Sequence, residues 1–582
     1  MRRSLSALLA LSLSVACGGA RCPEAEAPAV SSTAAAVEAP HGTVTLSIVG
    51  TNDNHGHVRA LPLLAGYVAN LRAARERDGG GVVLLDGGDV FQGTLESNLR
   101  EGAPMVTAYD LLGYDAVTIG NHEFDYGPTG ADATAQHEGQ DPWGALRARI
   151  AESHFAWLSA NLVDRATHAH ADLAAPSTVI ERAGVRLGLV GVTTEQTLTT
   201  TIAANVTSLS VRPLAVAIAS EAQRLRSEEH VDVVVVLAHA GGNCHSVDDP
   251  HDLSSCESGQ EIFEVADALP PGLVDVIVAG HTHAAVAHYV DGIAVIESRS
   301  YGRSFGRVDL VVDRDAHRIV ESHVFPTQDL CRAQPAPDED PSACAHDDYE
   351  GAPVAADARV AALATEALGF AQEQRSRPLG ITLSAQVRRD GNRESALGNL
   401  FTDLMREARP QADLAIYNGG GLRADLPAGP LTYGSFYEAL PFDNRFALVH
   451  TTGHDVAELF ARDVSSGGSV LSVSGLRVIA RCEGGAVRVR LERPDGHVVG
   501  DADPLVLATS DFLATGGDGF FVAAREREGA VTLEDDPPMR EAMIARLEAR
   551  GGTLDVATLL DAAHPRIEIA GERPLHCAAS HR

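Results

Sequence analysis

The feature that most constrains this chain is a pattern that occurs five times in its first half. An apolar run with the look of a buried strand ends in Asp, Asn or His beside glycine. The five runs are VTLSIVGTNDNHGH, GVVLLDGGD, DAVTIGNHEFD, VDVVVVLAHAGG and VDVIVAGHTH. Segments with helical spacing, such as PLAVAIASEAQRLRSE, lie between them. Alternating strands and helices predict an α/β domain over residues 43–327, with polar side chains gathered where the strands end.

The polar residues at these strand ends have the side chains that metal ions prefer. They are Asp53, His55, Asp89, Asn121, His122, His239, His281 and His283. One histidine is more often structural than a ligand, but five strands that all end this way have no simple structural explanation. Mixed carboxylate and imidazole ligands favour Zn²⁺, Mn²⁺ or a similar ion over Ca²⁺. The set exceeds the needs of one ion, so we expect two ions ~3.5–4 Å apart, bridged by a carboxylate.

Length and charge exclude several other classes of protein. A chain of 582 residues is too long for a single core and predicts two large domains. The formal net charge of −33 makes binding to nucleic acid or to an anionic membrane surface by bulk charge unfavourable. The sequence contains no lysine, which excludes Schiff-base chemistry and a P-loop lysine. A phosphate clamp must therefore use arginine, whose planar fork binds such groups in a bidentate manner.

A second domain is expected after a connection at residues 328–377. The connection begins rich in Pro and Asp and ends in ADARVAALATEALGFAQEQRSR, which has the spacing of a helix bridging the two domains. Residues 378–582 then carry motifs of their own, namely ESALGNLFTDLMREA, ADLAIYNGGGLR, EALPFDN and TSDFLATGGDGF. The chain contains no evident internal repeat.

These motifs together resemble a known family. TNDNHGH, GGDVFQG, GNHEFDYG, AHAGG and GHTH are similar to the ordered motifs of the calcineurin-like dinuclear metallophosphoesterases. NGGGLR, LPFDN and DFLATGGDGF are similar to the C-terminal domain of the 5′-nucleotidases, both the periplasmic 5′-nucleotidase/UDP-sugar hydrolases and the animal ecto-5′-nucleotidases. The resemblance covers residues 43 to about 560. It implies a four-layer αββα sandwich followed by an α/β substrate-binding domain.

The resemblance also implies a role for each strand-end residue. Asp89 would bridge two metal ions. The first ion would take Asp53, His55 and His283, and the second Asn121, His239 and His281. Some periplasmic members have Gln in place of the last histidine of GHTH.

The stretch GNHEFDYG carries a further implied role. His122 and Asp125 resemble the family's catalytic dyad, in which the histidine stabilises charge on the phosphoryl oxygens and the aspartate orients the imidazole. Glu123 has no such role in the resemblance, and we interpret it as structural.

Substrate recognition is implied for the second domain. The matching positions are Arg393, Asn418, Arg423, Phe442, Phe512 and Asp518, with Arg388 and Arg389 as further candidates. The two phenylalanines would sandwich the base, the arginines would hold phosphate, and Asp518 would contact the nucleoside. Without the resemblance, a Phe after Leu-Pro is more often core and Asn-Gly-Gly-Gly is only a turn. Because the metals and the phenylalanines lie on different domains, we expect domain closure with a hinge near Pro378.

The sequence is therefore interpreted as an exported phosphohydrolase that releases phosphate from nucleoside 5′-monophosphates and can also act on UDP-sugars or other nucleotides. Nucleotides are the expected partners, and oligomeric state is not predicted. One alternative is a 2′,3′-cyclic-nucleotide phosphodiesterase/3′-nucleotidase, because GNHEFDYG is also close to that branch. A second alternative is an inactive nucleotide-binding surface protein, although no ligand position has been lost.

The N-terminus indicates export. Residues 1–16 have a basic tip and a short apolar core, as in a secretory signal peptide, and Cys17 follows small residues, as in a bacterial lipoprotein. Ser14 stands where lipoprotein signals usually have Leu, so ordinary cleavage and release is the alternative. Residues 17–42, rich in Pro, Ala and Glu, are expected to form a disordered tether. The localisation expected is the periplasm or cell envelope, with a lipid anchor through Cys17.

Export makes disulfides plausible for the six cysteines beyond the tether. Local pairing has the lowest loop-closure cost and favours Cys244–Cys256 and Cys331–Cys344, which leaves Cys482–Cys577. Spacing alone does not fix this connectivity. No C-x-x-C spacing occurs, so a metal role for these cysteines is not expected.

Overall fold

A computed structural model describes residues 42–577 apart from residues 131, 136, 138, 334–343, 469, 522–526, 528 and 535–537. The predicted signal peptide, Cys17 and nearly all of the predicted tether lie outside the described residues. The strands are β1 (Thr43–Thr51), β2 (Gly81–Asp86), β3 (Ala116–Thr118), β4 (Ala156–Leu158), β5 (Leu162–Asp164), β6 (Ser177–Arg182), β7 (Val185–Thr193), β8 (Leu209–Val211), β9 (Val233–His239), β10 (Val276–Ala279), β11 (Ala285–Val290), β12 (Ile293–Ser298), β13 (Ser304–Asp313), β14 (Arg318–Asp329), β15 (Pro378–Leu383), β16 (Leu414–Asn418), β17 (Gly429–Thr432), β18 (Phe446–Thr452), β19 (Leu471–Ser474), β20 (Arg477–Glu483), β21 (Ala486–Glu492), β22 (Pro504–Ser510), β23 (Val531–Leu533), β24 (Gly552–Leu554) and β25 (Ile567–Ile569).

The α-helices alternate with the strands in the first half of the chain and are more scattered in the second. They are α1 (Leu61–Asp78), α2 (Leu95–Asn98), α3 (Ala103–Leu112), α4 (Gly144–Glu152), α5 (Thr197–Thr200), α6 (Ala203–Val206), α7 (Leu214–Ser227), α8 (Glu261–Ala268), α9 (Ala358–Ser376), α10 (Ala396–Ala408), α11 (Tyr433–Ala439), α12 (Gly453–Ser465), α13 (Asp511–Ala514) and α14 (Met539–Arg550).

Two sheets face each other in the first half of the chain. Within the described residues one sheet has the order β14-β13-β1-β2-β3-β4 and the other β11-β12-β10-β9-β7-β6. The central pairs β1–β2, β2–β3, β7–β9 and β9–β10 are parallel, so their carboxyl ends share one edge of each sheet. The polar strand ends recognised in the sequence therefore meet at this edge.

The packing of apolar residues confirms the predicted αββα sandwich. Side chains such as Ile48 and Leu237 fill the space between the two sheets. Leu64 and its neighbours pack α1 and α3 against the outer face of the first sheet. Ile218 and Ile262 pack α7 and α8 against the outer face of the second. The near-continuous apolar runs of the central strands follow from this burial on both faces.

Helix α9 follows the connection and contacts both halves of the molecule. Its first turn is capped by Asp357, whose Oδ1 accepts hydrogen bonds from the backbone N–H groups of Arg359 and Val360. Val360 belongs to the apolar core of the first domain, whereas Ala371 belongs to that of the second. The helix is therefore the packed link between the domains, and we retain the boundaries near 327 and 378 as a proposal.

The second half of the chain is a mixed α/β domain. Its main sheet, as far as the structure describes it, has the order β19-β16-β22-β18-β23. Helix α10 packs on this sheet, and the loop after β16 and the segment after β22 carry NGGGLR and DFLATGGDGF. The architecture expected for the substrate-binding domain is confirmed.

The three expected disulfides are present. Cys244 pairs with Cys256, Cys331 with Cys344 and Cys482 with Cys577. The first bridge closes the loop that follows the ligand candidate His239. Within the described part of the chain, no helix combines the length and apolar character needed to cross a membrane.

Candidate active site

The candidate ligands converge from loops that follow parallel strands. Asp53 and His55 follow β1, Asp89 follows β2, Asn121 and His122 follow β3, His239 ends β9, and His281 and His283 follow β10. Except for His122 and His283, which retain some exposure, and His281, which is half-buried, these residues are fully buried. The two facing sheets bring side chains more than two hundred residues apart into one polar centre.

The ligand atoms form two groups. In the first, atoms of Asp53, His55 and His283 all lie within 4.8 Å of one another. His283 Nε2 is 3.3 Å from Asp53 Oδ1 and 3.0 Å from His55 Nε2. In the second, atoms of Asp89, His239 and His281 lie within the same limit.

Asp89 stands between the two groups. Its Oδ2 atom is 3.2 Å from His239 Nε2 and 3.7 Å from His55 Nε2, so one carboxylate oxygen faces a histidine of each group. Its other oxygen, Oδ1, accepts the backbone N–H of His122 at 2.9 Å. Asn121 joins the second group, with its Oδ1 2.9 Å from His239 Nε2.

Each of these side chains is held by one polar atom while a second atom faces the centre. His55 Nδ1 donates to the carbonyl of Gln92, and His239 Nδ1 donates to that of Gly87, so the Nε2 atom of each ring faces the centre. Asn121 Nδ2 donates to the carbonyl of Thr200, so its Oδ1 faces inward. The protein thereby fixes the tautomers and the amide orientation that ligands require.

Asp53 provides the test of whether a cation fits. Its Oδ2 accepts hydrogen bonds from Asn52 Nδ2 and from the backbone N–H of His281. Its Oδ1 is buried and has no hydrogen-bond partner among the described residues. Burial alone would raise the pKa of this carboxyl, but His283 outweighs it and holds the pKa below its usual value. An ionised, buried oxygen without a donor, surrounded by imidazole nitrogens, fits a divalent metal ion.

The backbone of the ligand loops is unusual. Asp53, His55, Asp89, His281 and His283 all have positive φ angles, between 47° and 83°. Left-handed backbone is costly for residues other than glycine and persists where the surrounding structure imposes it.

Two buried glutamates that sequence reasoning left without a role hold these loops together. Glu123 Oε2 accepts the backbone N–H groups of Asp89 and Gly120, and its Oε1 accepts that of Val90. It therefore ties the loop after β2 to the loop after β3. Burial, reinforced by Asp89, raises the pKa of Glu123 to about 8.

Glu297 on β12 ties the loop after β9 to the loop after β10 in the same way. It accepts the backbone N–H of Gly242 and the hydroxyl of Thr282, within AHAGG and GHTH respectively. Its contacts are set by tertiary packing, so no local pattern in the sequence points to it. Glu123 was recognisable as structural because it lies inside GNHEFDYG.

The proposed dyad is assembled beside the Asp89 carboxylate. His122 Nδ1 lies 2.6 Å from Asp125 Oδ2, and Asp125 Oδ1 accepts the hydroxyl of Thr201 at 2.7 Å. Burial alone would lower the pKa of the His122 imidazole, but Asp125 and Asp89 raise it above its usual value. These carboxylates thus favour the cationic form of the ring. Asp125 contacts Nδ1, so Nε2 makes no contact with Asp125.

A cavity of about 170 Å³ opens over the dyad and is lined by both domains. The first domain contributes Asp89, Asn121, His122, Asp125, Thr200, Thr201, Ile202, His281 and His283. The second contributes Tyr417, Asn418, Gly420, Gly421, Arg423, Phe442, Asn444, Phe512 and Asp518. Five of the six predicted substrate-binding residues are therefore in its wall.

The sixth, Arg393, is placed elsewhere. It lies on an exposed loop before α10, where its backbone N–H donates to Asp390, and it is outside the cavity wall. Sequence reasoning in turn did not single out Thr200, Thr201 and Ile202, which lie outside the quoted motifs, or Tyr417 and Asn444, which lie inside ADLAIYNGGGLR and LPFDN. Arg389 donates to the carbonyl of Leu422, next to Arg423.

The polar and aromatic groups of the wall are arranged from the metal clusters outward. Arg423 Nη2 is 3.1 Å from His55 Nε2, and its guanidinium carbon lies 5.7 Å from the ring centre of Phe442. The Phe442 ring in turn lies 5.7 Å from that of His122. At the far end, Asn418 Nδ2 donates to Asp518 Oδ2 at 2.8 Å. Loss of solvation raises the pKa of Asp518 to about 6, and the hydrogen bond from Asn418 offsets part of this rise. The residue itself remains exposed.

Direct contacts between the domains fix the cavity in this form. Gln92 Nε2 donates to the carbonyl of Pro441, and Asn98 Nδ2 donates to the hydroxyl of Tyr437. Arg375 pairs with both Glu96 and Glu438. The segment before Phe442 is thus anchored on the metal-bearing domain.

Two family profiles match this chain in order. The calcineurin-like phosphoesterases match residues 46–285, and the 5′-nucleotidase C-terminal domain matches residues 369–525. Protein UshA of Yersinia enterocolitica is 26% identical over 514 residues, which cover 82% of this chain and 86% of that protein. The 5′-nucleotidase of Vibrio cholerae is 24% identical over 523 residues, which cover 82% and 86%.

The fold also matches solved structures. The 5′-nucleotidase precursor from Thermus thermophilus superimposes with a TM-score of 0.69 at 24% identity, covering 91% of this chain and all of that one. Metal-ligand candidates therefore lie in a domain of the calcineurin-like type, followed by a domain of the 5′-nucleotidase type on the same chain. This chain therefore has, in order, a calcineurin-like phosphoesterase domain and a 5′-nucleotidase C-terminal domain, and it is similar over most of its length to UshA and 5′-nucleotidase proteins.

Proposed function

We propose that this protein hydrolyses nucleoside 5′-monophosphates with two divalent metal ions of the Zn²⁺ or Mn²⁺ type. The observation that carries the proposal is the position of Asp89. A single oxygen of this carboxylate faces histidines of two ligand groups at the floor of a cavity whose opposite wall comes from the second domain. One shared carboxylate between two ligand sets is the arrangement of two-metal hydrolytic sites.

The residues supply distinct parts of the chemistry. Asp53, His55 and His283 would hold the first ion, Asn121, His239 and His281 the second, and Asp89 both. Two divalent ions, when bound, lower the pKa of a water molecule and polarise phosphate oxygens.

The protein's own groups then act on the phosphate. The cationic form of His122, favoured by Asp125, would donate from Nε2 to a phosphoryl oxygen and stabilise its growing negative charge. Arg423 would turn from His55 Nε2 toward the phosphate, where its planar fork binds oxygens in pairs. A water oxygen attacks phosphorus in line as the phosphorus–oxygen bond to the nucleoside breaks, and a proton from that water goes to the nucleoside oxygen. The products are the nucleoside and inorganic phosphate, and no covalent enzyme intermediate is needed.

The other end of the cavity supports a nucleoside as the leaving group. Phe442 and Phe512 supply aromatic faces on which a base can stack, and Asp518 with Asn418 supplies groups that can bind hydroxyls. Both domains line the cavity, so a change in their separation would widen or narrow the path of the substrate. We propose a rotation with its hinge at the end of α9, near Pro378.

The same cavity is compatible with other nucleotides, including UDP-sugars. A 2′,3′-cyclic-nucleotide phosphodiesterase would need the same metals, and the aromatic pair and Asp518 favour the 5′-monophosphate. Loss of catalysis is disfavoured because every ligand position holds a residue that can bind a metal ion.

The test is phosphate release by the purified protein from AMP, 3′-AMP, 2′,3′-cyclic AMP and UDP-glucose, before and after metal removal by a chelator. We expect AMP to be hydrolysed fastest, activity to disappear on chelation, and Zn²⁺ or Mn²⁺ to restore it. Metal analysis of the active protein is expected to give two ions per chain. No hydrolysis of AMP by metal-reconstituted protein would overturn the proposal, and faster hydrolysis of 2′,3′-cyclic AMP would assign the chain to the alternative branch.

We further propose that the protein acts outside the cytoplasm, anchored through Cys17. The basic and apolar start of the chain and the disulfides at Cys244–Cys256, Cys331–Cys344 and Cys482–Cys577 support export. Hydrolysis of external nucleotides would release nucleosides that a cell can take up.

A further inference from the structure

We infer that Thr201 is a positioning residue of the catalytic dyad, so that the acid–base unit is Thr201–Asp125–His122 rather than a pair. The inference deepens, and rests on, the proposed function. Thr201 carries no motif and comes from a segment far from GNHEFDYG in the sequence. Its hydroxyl acts through Asp125 and does not touch the reacting atoms.

The hydrogen bonds assign one partner to each oxygen of the aspartate. Thr201 Oγ1 donates to Asp125 Oδ1 at 2.7 Å, and His122 Nδ1 lies 2.6 Å from Asp125 Oδ2. Thr201 is 2% exposed and Asp125 is 8% exposed, so water cannot readily replace the hydroxyl. With Oδ1 held, rotation of the carboxylate is restricted and Oδ2 stays aligned with the imidazole.

The segment that carries Thr201 is suited to this task. Helix α5 ends at Thr200, and Thr201 leaves it with extended backbone. The carbonyl of Thr200 accepts the amide of Asn121, so neighbouring residues hold a ligand candidate and the dyad. The same helix packs against Gly517–Gly519 of the second domain, and Thr200, Thr201 and Ile202 line the cavity.

A matched control exists four residues earlier on the same segment. Thr197 is fully buried, as Thr201 is, but its hydroxyl has no hydrogen-bond partner among the described residues. Replacing either threonine by valine preserves shape and removes one hydroxyl. The two variants therefore share the loss of one buried hydroxyl, and they differ in the contact with Asp125 and in the position of Thr201 in the cavity wall.

The experiment compares Thr201→Val, Thr201→Ser and Thr197→Val in metal-loaded, full-length protein. We expect Thr201→Val to lower kcat about tenfold for both AMP and p-nitrophenyl phosphate, with KM changed less than about twofold, because a hydrogen bond to a charged group is lost. Thr201→Ser is expected to retain most of the activity, and Thr197→Val all of it. The metal content of Thr201→Val is expected to be unchanged, because the contact with Asn121 is made by the backbone carbonyl of Thr200.

A double substitution separates positioning from general damage. In an Asp125→Ala background, which has no side-chain oxygen to accept the hydroxyl, adding Thr201→Val is expected to change kcat less than about twofold, since the residue acts only through Asp125. A further full loss there would overturn the inference, as would wild-type kcat in Thr201→Val. Equal losses in Thr201→Val and Thr197→Val would also overturn it.

A readout independent of activity covers the case in which the proposed function fails. The His122 Nδ1 proton should give a low-field NMR signal in metal-free protein, identified by its absence in His122→Ala. We expect the signal in wild type, Thr201→Ser and Thr197→Val, and its shift or loss in Thr201→Val. An unchanged signal in Thr201→Val would overturn the positioning role, whereas an altered signal in a protein that does not hydrolyse AMP would count only against the proposed function.

Discussion

Replacing Phe512 by alanine is the change that most directly tests which part of the cavity binds the base. Phe512 and Phe442 both line the cavity, but only Phe442 approaches the dyad, at 5.7 Å between its ring centre and that of His122. A loss in Phe442→Ala would therefore mix base binding with disturbance of the imidazole. Phe512 lies on the second domain and rests against Gly517, where an added Cβ would come within 2.6 Å of the ring.

The size of the effect follows from stacking. One base–aromatic stack is worth ~1–3 kcal/mol, which corresponds to a fall of roughly 5- to 150-fold in kcat/KM for AMP. A substrate without a base needs mainly the metals and His122, so kcat/KM for p-nitrophenyl phosphate is expected to stay within about twofold. Every nucleoside monophosphate should lose affinity together, since each base presents an aromatic face.

The assay is the ratio of the two kcat/KM values in wild type and in Phe512→Ala. Gly517→Ala is a second test of the same ring. This variant keeps Phe512 itself, but the added Cβ would come within 2.6 Å of the ring, so the ring must shift. Phe370→Ala is the matched control, since this exposed phenylalanine lies on α9 and outside the cavity wall. If AMP and p-nitrophenyl phosphate lose activity in equal proportion in Phe512→Ala, the ring is structural and the assignment of a nucleoside site here is wrong.

Four further outcomes are expected. Asp89→Asn should lower activity and bound metal more than loss of any single terminal ligand. In one orientation of the new amide its NH₂ group would point at both ions, and in the other it would point at the backbone N–H of His122. Metal analysis together with kinetics checks this. KM for AMP should rise as the pH falls through about 6, where the Asp518 carboxyl becomes protonated. Asp518→Asn should remove this part of the dependence and leave the part that follows the substrate phosphate, whose second pKa is also about 6. Cys244→Ser should lower the free energy of unfolding by about 2–4 kcal/mol in denaturant titrations. Mass spectrometry of the mature protein should find an acylated Cys17 at the N-terminus, whereas an unmodified downstream start would exclude the anchor.

The sequence predicted the fold because its strand pattern had few alternatives. Apolar runs such as VVVVLAH can only be buried on both faces, and parallel strands then bring their carboxyl ends together. Asp53 and His283, separated by most of the first domain, were expected at one edge for this reason. The resemblance placed them in one ligand group, and the structure brings His283 Nε2 to 3.3 Å from Asp53 Oδ1. Their role as ligands stays a prediction. Local pairing also gave the correct partner for Cys244, because short loops close at least cost.

Contacts that depend on tertiary packing were not predictable from local pattern. Glu297 acts through two hydrogen bonds and Thr201 through one, all to loops that lie close only after both sheets have assembled. Arg393 was assigned from its motif position, yet its loop places it outside the cavity wall, and a single chain does not reveal how a loop will turn. Its role stays a prediction.

The domain boundary in the sequence does not coincide with the boundary between the two apolar cores. The family profile of the second domain begins at residue 369, within α9, and Leu95 of α2 is fully buried in the apolar core of that second domain. A fragment that begins at β15 would therefore lose Ala371 and the leucine that fills its core, a deficit of about 1.5–3 kcal/mol for the leucine alone. The second domain is thus completed by a residue of the first, so loss of the first domain's packing around Leu95 should also lower the stability of the second.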